Sequence, residues 1–222
     1  MTLAARNVKY QSCEVDLGKK TPWHVAINGG MVPVWEIPSG DIITESKVLM
    51  DYVEDAYPKD GYSTLPEDPV KRAQMRLAIP LVDAFNGAWY PIYMKKGYGE
   101  EEFKALHEKL QKLEEFVAAN NKSETSPFAM GTENPTQLDF HIYVHVERVN
   151  MLKGSVFHDS IWSHVNWSSY PRILKLLQGI RDRPEFRNGV IANPKPWHEF
   201  MAKVIEKPPG ERVQLFLPIS NE

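Results

Sequence analysis

The chain changes character on the two sides of a turn-rich segment between Pro58 and Pro69. Before this segment, short apolar runs alternate with polar turns, whereas after it apolar residues recur at helical spacing over long stretches. The segment itself is rich in Pro, Gly, Asp and Ser, a composition that is typical of a linker between domains. We therefore predict a small strand–helix domain over residues 1–58, a linker over 59–68, and an all-helical domain with a C-terminal tail over 69–222.

A β-hairpin is predicted near the middle of the first domain. The apolar run 31–37 contains Pro33, which donates no ladder hydrogen bond and so belongs at the start of a strand. The sequence Pro-Ser-Gly-Asp at 38–41 is a strong turn signal, and the apolar residues 42–44 can return as the partner strand.

The remaining elements follow from periodicity. A loosely alternating segment predicts a further strand, and six segments with apolar residues at helical spacing predict helices. The strand is predicted over 10–17, and the helices over 48–56, 71–94, 100–120, 136–152, 170–181 and 196–205.

The composition narrows the classes of protein. The chain has 222 residues, 42% of them hydrophobic, a net charge of -3 and no Lys/Arg block, so nucleic acid is not an expected partner. No apolar run approaches the length of a membrane span. Cys13 is the only cysteine, so no intrachain disulfide can form, and we expect the cytoplasm or another reducing intracellular compartment.

Two dipeptides around the predicted hairpin suggest a ligand site. Val32-Pro33 matches the way thioredoxin-like folds use backbone groups beside a cis-proline to hold an extended ligand. Glu45-Ser46, at the start of the next helix, offers a carboxylate to an ammonium group, and a hydroxyl and free N–H groups to a carboxylate. A γ-glutamyl group carries both charges at one end and would match. The alternative for Ser46 is a plain N-cap.

The order of these features resembles the glutathione-binding half of the cytosolic glutathione transferases, with the omega class closest. The resemblance is carried by the proline, the hairpin, Glu-Ser, the tyrosine-containing helix that ends at Pro58, the proline-bounded linker, and Arg-Ala at 72–73. Residues 19–23 (Lys-Lys-Thr-Pro-Trp) are similar to the omega-class Lys-Pro-x-Trp segment, which implies that Lys20, or alternatively Lys19, contacts glutathione.

The resemblance implies a fold and a set of binding residues. The fold would be an α/β thioredoxin-like N-terminal domain followed by an all-α glutathione-transferase C-terminal domain. Glutathione, as co-substrate, would be held by Lys20, Val32, Pro33, Glu45 and Ser46. The second substrate would be a small electrophile or a disulfide, and the protein would be a homodimer or a subunit of a larger assembly.

A second motif lies in the helical domain. Thr136 and Asp139 form a capping box that can open a helix, and the acidic residue suits the helix dipole. The motif matches the Ser/Thr-x-x-Asp box that opens a buried helix in the transferases. Downstream, Glu147-Arg148 and Trp197 also resemble the omega class, and the resemblance extends to about Glu206.

The sequence departs from the family at its start. Residues 3–10 match the end of the family's first helix and the start of its second strand, so the first strand and the loop with the catalytic cysteine have no counterpart. Either a neighbouring chain or a rearranged pairing fills the gap, or the sequence starts at an internal methionine of a longer protein. The catalytic residue is therefore unknown, and Cys13 is expected to be a buried structural thiol in the second strand.

The helical domain contains candidate residues for binding a second substrate. By resemblance, Tyr90 and Tyr93 would line the substrate cleft, whereas Trp89 suits the core. His141 and His145 have a spacing that can hold zinc, but no cysteine joins them, so we expect no metal and place them at a helix–helix or dimer contact.

Two functions remain open. The chain is an omega-type glutathione transferase or thiol-disulfide reductase if a complete active site exists. Alternatively, it is a non-catalytic transferase-fold subunit that serves in assembly. The missing loop and the tail 211–222, whose apolar segment 213–218 could dock on a partner, motivate the second hypothesis.

Overall fold

A computed structural model of the chain describes residues 1–94, 98–187 and 195–206. The tail 211–222, with its apolar segment 213–218, lies outside the described residues. Within those residues the architecture is a small α/β unit followed by an all-helical unit, which confirms the predicted fold class. No helix in the described part of the chain has the length and apolarity that crossing a bilayer requires.

The α/β unit is built around the predicted hairpin. Strand β1 (Val34–Glu36) pairs antiparallel with β2 (Ile42–Thr44), with Val34 opposite Thr44. Gly40 closes the turn with φ +89, a backbone conformation that glycine adopts without steric cost. Three helices complete the unit: α1 (Thr2–Ala5), α2 (Pro22–Asn28) and α3 (Ser46–Ala56).

The strand predicted over 10–17 is wrong. These residues have no regular structure, and β1 and β2 form the one sheet of the described ranges. Cys13 is exposed, which also contradicts the prediction of a buried thiol. Alternating polarity produces a strand only when a neighbouring strand completes its hydrogen bonds, and the segment finds no such partner in the described structure.

Helix α2 was not predicted. Pro22 occupies the first turn of the helix, where its missing N–H costs no hydrogen bond. Gly29 ends α2 with φ +58, in the left-handed conformation that commonly terminates helices.

The helical unit follows the predicted pattern closely. Its helices begin and end within about two residues of the predicted bounds, as is usual for frayed ends. They are α4 (Pro69–Met94), α5 (Glu100–Asn120), α6 (Gln137–Asn150), α7 (Pro171–Arg181) and α8 (Lys195–Glu206). Short 3-10 turns lie at Trp162–His164, Trp167–Ser169 and Pro184–Phe186.

The main core lies where α4 packs against α5 and α6. Four residues on one face of α4, spaced as one helical stripe, are fully buried: Met75, Val82, Phe85 and Trp89. Helix α6 is buried along most of its length and carries polar as well as apolar side chains into the interior.

Asp139 opens α6 as the capping box predicts. Its carboxylate accepts hydrogen bonds from the backbone N–H of Thr136 and from the Thr136 hydroxyl, both at 2.7 Å. It also accepts from the N–H of Ala129 at 2.7 Å, which joins the preceding loop to the helix start. Burial raises the pKa of Asp139, and these hydrogen bonds oppose that shift.

A buried ion pair ties the start of the chain to α3. Arg6 donates to Glu54 through Nε at 3.1 Å and Nη2 at 2.5 Å, and the two side chains are only 6% and 3% exposed. Thr64 and Ser63 also donate to the Glu54 carboxylate. Burial alone would raise the pKa of Glu54, but the hydrogen bonds from Arg6, Thr64 and Ser63 hold it below its ordinary value of 4.5.

The substitution Glu54→Gln tests this junction. It leaves the buried Arg6 guanidinium without a counter-charge, so we expect the free energy of unfolding to fall by about 3–5 kcal/mol in urea titrations at pH 7. Because the pKa of Glu54 is lower in the folded state, the stabilisation is present above about pH 4.5 and is lost as the pH falls through the folded pKa.

The matched control is Asp55→Asn on the exposed side of the same helix, which should change stability by no more than about 0.5 kcal/mol. Equal stabilities of the Glu54 and Asp55 variants would show that the ion pair does not hold the junction.

Candidate functional site

The register of the hairpin brings four predicted ligand residues together. Because Val34 pairs with Thr44, the antiparallel direction carries Val32 and Pro33 past the same end of the hairpin as Glu45 and Ser46. The Val32–Pro33 peptide bond is cis. Val32, Pro33, Glu45 and Ser46 are all exposed, so this end of the hairpin can accept a ligand.

Glu45 and Ser46 sit at the start of α3. Ser46 is the first residue of this 11-residue helix, and Glu45 is its N-cap residue with φ 68 and ψ 115. No side chain caps the helix start, so the Ser46 hydroxyl and the first backbone N–H groups face outward. The carboxylate of Glu45 adds a negative charge at the same place. The pair therefore offers complementary partners for an ammonium and a carboxylate on one ligand.

The Lys20 side chain lies against Gly30, between α2 and the hairpin. Its Nζ lies so close to Gly30 that a Cβ built on Gly30 would come within 3.0 Å of it. Gly30 has φ +72 and precedes Val32 by two residues in the sequence. Lys19, the sequence alternative, is exposed.

Buried His24 holds the segment that leads into Val32. It is 1% exposed, and its Nε2 lies 2.9 Å from the carbonyl oxygen of Met31. Asn28 donates to the same oxygen at 3.2 Å. Sequence reasoning missed this support, because α2 was not predicted.

The predicted cleft tyrosines differ in burial. Tyr90 is 48% exposed, whereas Tyr93 is 9% exposed, and their rings meet edge to face at 5.1 Å. Burial raises the pKa of Tyr93 to about 12, so its hydroxyl keeps its proton at neutral pH. Trp197 on α8 lies 6.0 Å from the Tyr93 ring, and Trp89 is fully buried, as expected for a core residue.

The two histidines of α6 lie at the junction with α3 and α4. His141 is 9% exposed, and the Lys47–Asp83 ion pair, with Nζ 2.6 Å from Oδ2, is close enough to influence its pKa. Burial lowers the pKa of both histidines, that of His145 to about 4, and the nearby Arg148 lowers the latter further. Both imidazoles are therefore neutral at pH 7.

A separate open cavity of about 670 Å³ lies at the start of α5. Tyr98, Phe103, His107 and His164 are among its lining residues, and His164 stacks on Phe103 at 4.5 Å. None of the predicted glutathione ligands or cleft tyrosines lines it. In the parts of the chain that the structure describes, no three His, Cys, Asp or Glu side chains come together as metal ligands.

Comparisons with known proteins concern the family and the fold of the chain. Residues 1–56 match the family model described as the N-terminal domain of glutathione S-transferase. The chain is 27% identical over 161 residues to glutathione S-transferase omega-1 of Mus musculus, an alignment that covers 69% of this chain and 62% of that protein. It is 34% identical over 131 residues to protein LigF of a Sphingobium strain, covering 57% of this chain and 48% of LigF. The matched part thus spans less than two thirds of either relative.

Solved structures with the same fold include three transferases. The Tau class glutathione S-transferase of mango, Mangifera indica, superposes with a TM-score of 0.73 at 24% identity and covers 92% of this chain and 90% of its own. Glutathione transferase Omega 1C from Trametes versicolor superposes with a TM-score of 0.71 at 19% identity, and the match covers 91% of this chain and 88% of that chain. The trimeric glutathione transferase TDR1 of Leishmania superposes with a TM-score of 0.78 at 20% identity, and the match covers 91% of this chain and 44% of that chain.

The neutral histidines predict a pH dependence of stability. Since the folded pKa of His145 is about 4 and its ordinary value is 6.5, the unfolded chain binds more protons between these pH values. The free energy of unfolding should therefore rise with pH between about 4.5 and 6.5. This pH range lies above the range in which Glu54 titrates. Urea titrations across this range should show a smaller rise in His145→Leu than in the wild type, and equal slopes would contradict the assignment.

Proposed function

Because the chain belongs to the glutathione transferase family, with omega-class members among its relatives, we propose that it binds glutathione at the end of the hairpin. The observation that carries the proposal is the register of β1 and β2, which groups Val32 and Pro33 with Glu45 and Ser46. The Glu45 carboxylate would hold the γ-glutamyl ammonium, and the start of α3 with the Ser46 hydroxyl would hold the γ-glutamyl carboxylate.

The other contacts come from backbone and lysine. The backbone of Val32, beside Pro33, would pair with the cysteinyl part of glutathione as a strand edge does. The Lys20 ammonium, which lies against Gly30, would contact the tripeptide as well. Glutathione would be the co-substrate, and a small electrophile or a disulfide would occupy the cleft beside Tyr90 and Tyr93.

We further propose an omega-type glutathione transferase or thiol-disulfide reductase activity. In such a reductase, a cysteine thiolate would attack the glutathionyl sulfur of a glutathione mixed disulfide, so that the S–S bond breaks and the other partner leaves as a thiolate. A second glutathione thiolate would then attack the cysteine–glutathione disulfide, which releases oxidised glutathione and restores the cysteine thiolate. The catalytic residue remains unassigned, because Cys13 is exposed in a segment without regular structure and matches no catalytic position.

Titration calorimetry with reduced glutathione tests the binding site. We expect Ser46→Ala, Glu45→Gln and Lys20→Met each to weaken binding about tenfold, because each removes a charged or charge-assisted hydrogen bond. Ser39→Ala, in the turn at the opposite end of the hairpin, is the matched control and should bind as the wild type does. Wild-type affinity in all three site variants would refute the site.

A second candidate is a non-catalytic assembly role, which exposed apolar side chains favour. Helix α2 exposes Trp23, Val25 and Ile27 by 50%, 46% and 41%, and Met31 beyond it is 56% exposed. Neighbouring apolar side chains of this kind commonly mark an interaction surface.

Sedimentation analysis of the purified protein tests this second role. If the α2 surface forms an assembly contact, Trp23→Lys should lower the average mass, whereas Tyr10→Lys, which changes an exposed aromatic residue outside α2, should not. An unchanged mass in the Trp23 variant would exclude an α2-based assembly.

A further inference from the structure

Helix α2 is attached to the rest of the molecule through a histidine. His24 is 1% exposed and is the one buried residue of α2, a helix that lies wholly within the described residues. Its apolar neighbours in the helix, Trp23, Val25 and Ile27, are between 41% and 50% exposed. Amphipathic helices normally bury their apolar side chains and leave the polar ones in water. The reversed pattern indicates that the imidazole makes a contact that an apolar side chain cannot make.

That contact is a hydrogen bond to the carbonyl oxygen of Met31. His24 Nε2 lies 2.9 Å from this oxygen, and Asn28 Nδ2 donates to the same oxygen at 3.2 Å. A carbonyl oxygen only accepts, so Nε2 carries the ring proton and Nδ1 is the acceptor nitrogen of the imidazole. The Met31 carbonyl is therefore held by two donors, of which His24 is the closer and the more deeply buried.

The other ring nitrogen argues against a role in packing alone. Among the described residues, His24 Nδ1 is buried and has no hydrogen-bond partner. A buried nitrogen without a partner disfavours folding, and an apolar side chain such as leucine would fill the space without that penalty. The contact with Met31, and not the filling of space, is therefore the reason for a histidine at this position.

The turn after α2 brings Met31 back to the helix. Gly29 and Gly30 both have positive φ, and the N–H of Met31 donates to the carbonyl oxygen of Asn28 at 2.9 Å. The residue that follows this turn is Val32, whose backbone belongs to the proposed glutathione site.

Holding the Met31 carbonyl also orients the N–H of Val32. The two groups belong to one peptide unit, which is planar and, between these residues, trans. In a trans unit the N–H points opposite to the C=O, so a carbonyl that faces His24 turns the Val32 N–H away from the buried ring. Val32 is 51% exposed, and within the described ranges its N–H meets no acceptor. This N–H can therefore donate to a ligand.

We propose that His24 is a positioning residue for glutathione, which directs the Val32 N–H toward the carbonyl oxygen of the cysteinyl residue. The proposal rests on the function proposed above, in which the Val32 backbone pairs with the cysteinyl part of glutathione. His24 itself does not touch the ligand, because its ring is enclosed. Its effect should therefore be confined to ligands that carry this one carbonyl oxygen.

Glutathione and a matched analogue provide the test. In the (E)-alkene isostere of the Cys–Gly peptide bond, a carbon–carbon double bond keeps the shape of the peptide and removes the carbonyl oxygen. We expect the wild type to bind glutathione about three- to tenfold more tightly than the isostere in calorimetry, which is the range for one net hydrogen bond. In His24→Leu this preference should fall, because the Val32 N–H is no longer held, while the affinity for the isostere stays as in the wild type.

Further variants separate positioning from general structural support. A general loss of structure would weaken both ligands equally and leave the preference unchanged, which makes the ratio of affinities the decisive readout. His24→Gln places an amide N–H near the Nε2 position and should restore part of the preference. Asn28→Ala removes the second donor to the same carbonyl and leaves the buried ring in place, so it carries the test if His24→Leu does not fold. It should lower the preference by less than His24→Leu does.

The matched control is Val25→Ala, which changes an exposed residue of the same helix and should keep the full preference. An unchanged preference in His24→Leu or, where that variant does not fold, in Asn28→Ala would overturn the positioning role. Equal affinity of the wild type for the two ligands, with glutathione still bound, would overturn it as well and leave the proposed function intact. If the wild type binds neither ligand, the proposed function fails and this inference fails with it.

Discussion

Both the core and the candidate cleft depend on the hydrogen bonds that the buried carboxylate of Asp139 accepts. It accepts hydrogen bonds from Thr136 and Ala129 and so determines where α6 begins. Once the start is determined, the helical period decides which side of α6 each later residue occupies. Ile142 then enters the core, while His141 and His145 turn toward α3 and α4. A shift of one residue at this cap would move the histidines by about 100° around the helix axis.

The small α/β unit depends on a different kind of constraint. Its sheet has two strands, so few ladder hydrogen bonds hold it together, and a hairpin of this size is marginal without further packing. The Arg6–Glu54 ion pair, together with Thr64, supplies a connection between the start of the chain, α3 and the loop that leads into α4. This junction holds the C-terminal end of α3 against the start of the chain and against the loop that leads into α4.

The proposed function combines these two constraints. The hairpin register groups the proposed glutathione ligands Val32, Pro33, Glu45 and Ser46 on the α/β unit, and the proposed cleft residues Tyr90 and Tyr93 lie on α4 of the helical unit. A conjugating enzyme needs its two substrates side by side, because the reaction gains most from their proximity and orientation. In this chain the Lys47–Asp83 ion pair joins α3 of the α/β unit to α4 of the helical unit.

The local features could be predicted from the sequence because their causes are local. Helical spacing located α4 to α8, the turn at 38–41 located the hairpin, and Thr136 and Asp139 located the start of α6. The resemblance of the Glu-Ser dipeptide and its neighbours to the transferases selected Lys20, Val32, Pro33, Glu45 and Ser46, and the strand register brings the last four of them to one end of the hairpin.

Features that require a partner distant in sequence could be decided only by the tertiary structure. The alternating pattern of residues 10–17 predicted a strand, but a strand forms only when a neighbouring strand pairs with it. Because the segment does not join the sheet, Cys13 within it is exposed. The spacing of His141 and His145 was visible, yet their burial, their unpaired nitrogens and their position beside Lys47 and Asp83 depend on how α3, α4 and α6 meet. The sequence by itself determined the helices, the turn and the cap, because their hydrogen bonds close within a few residues. Tertiary packing decided which polar groups are buried and which side chains are exposed, because both depend on contacts between segments far apart in the chain.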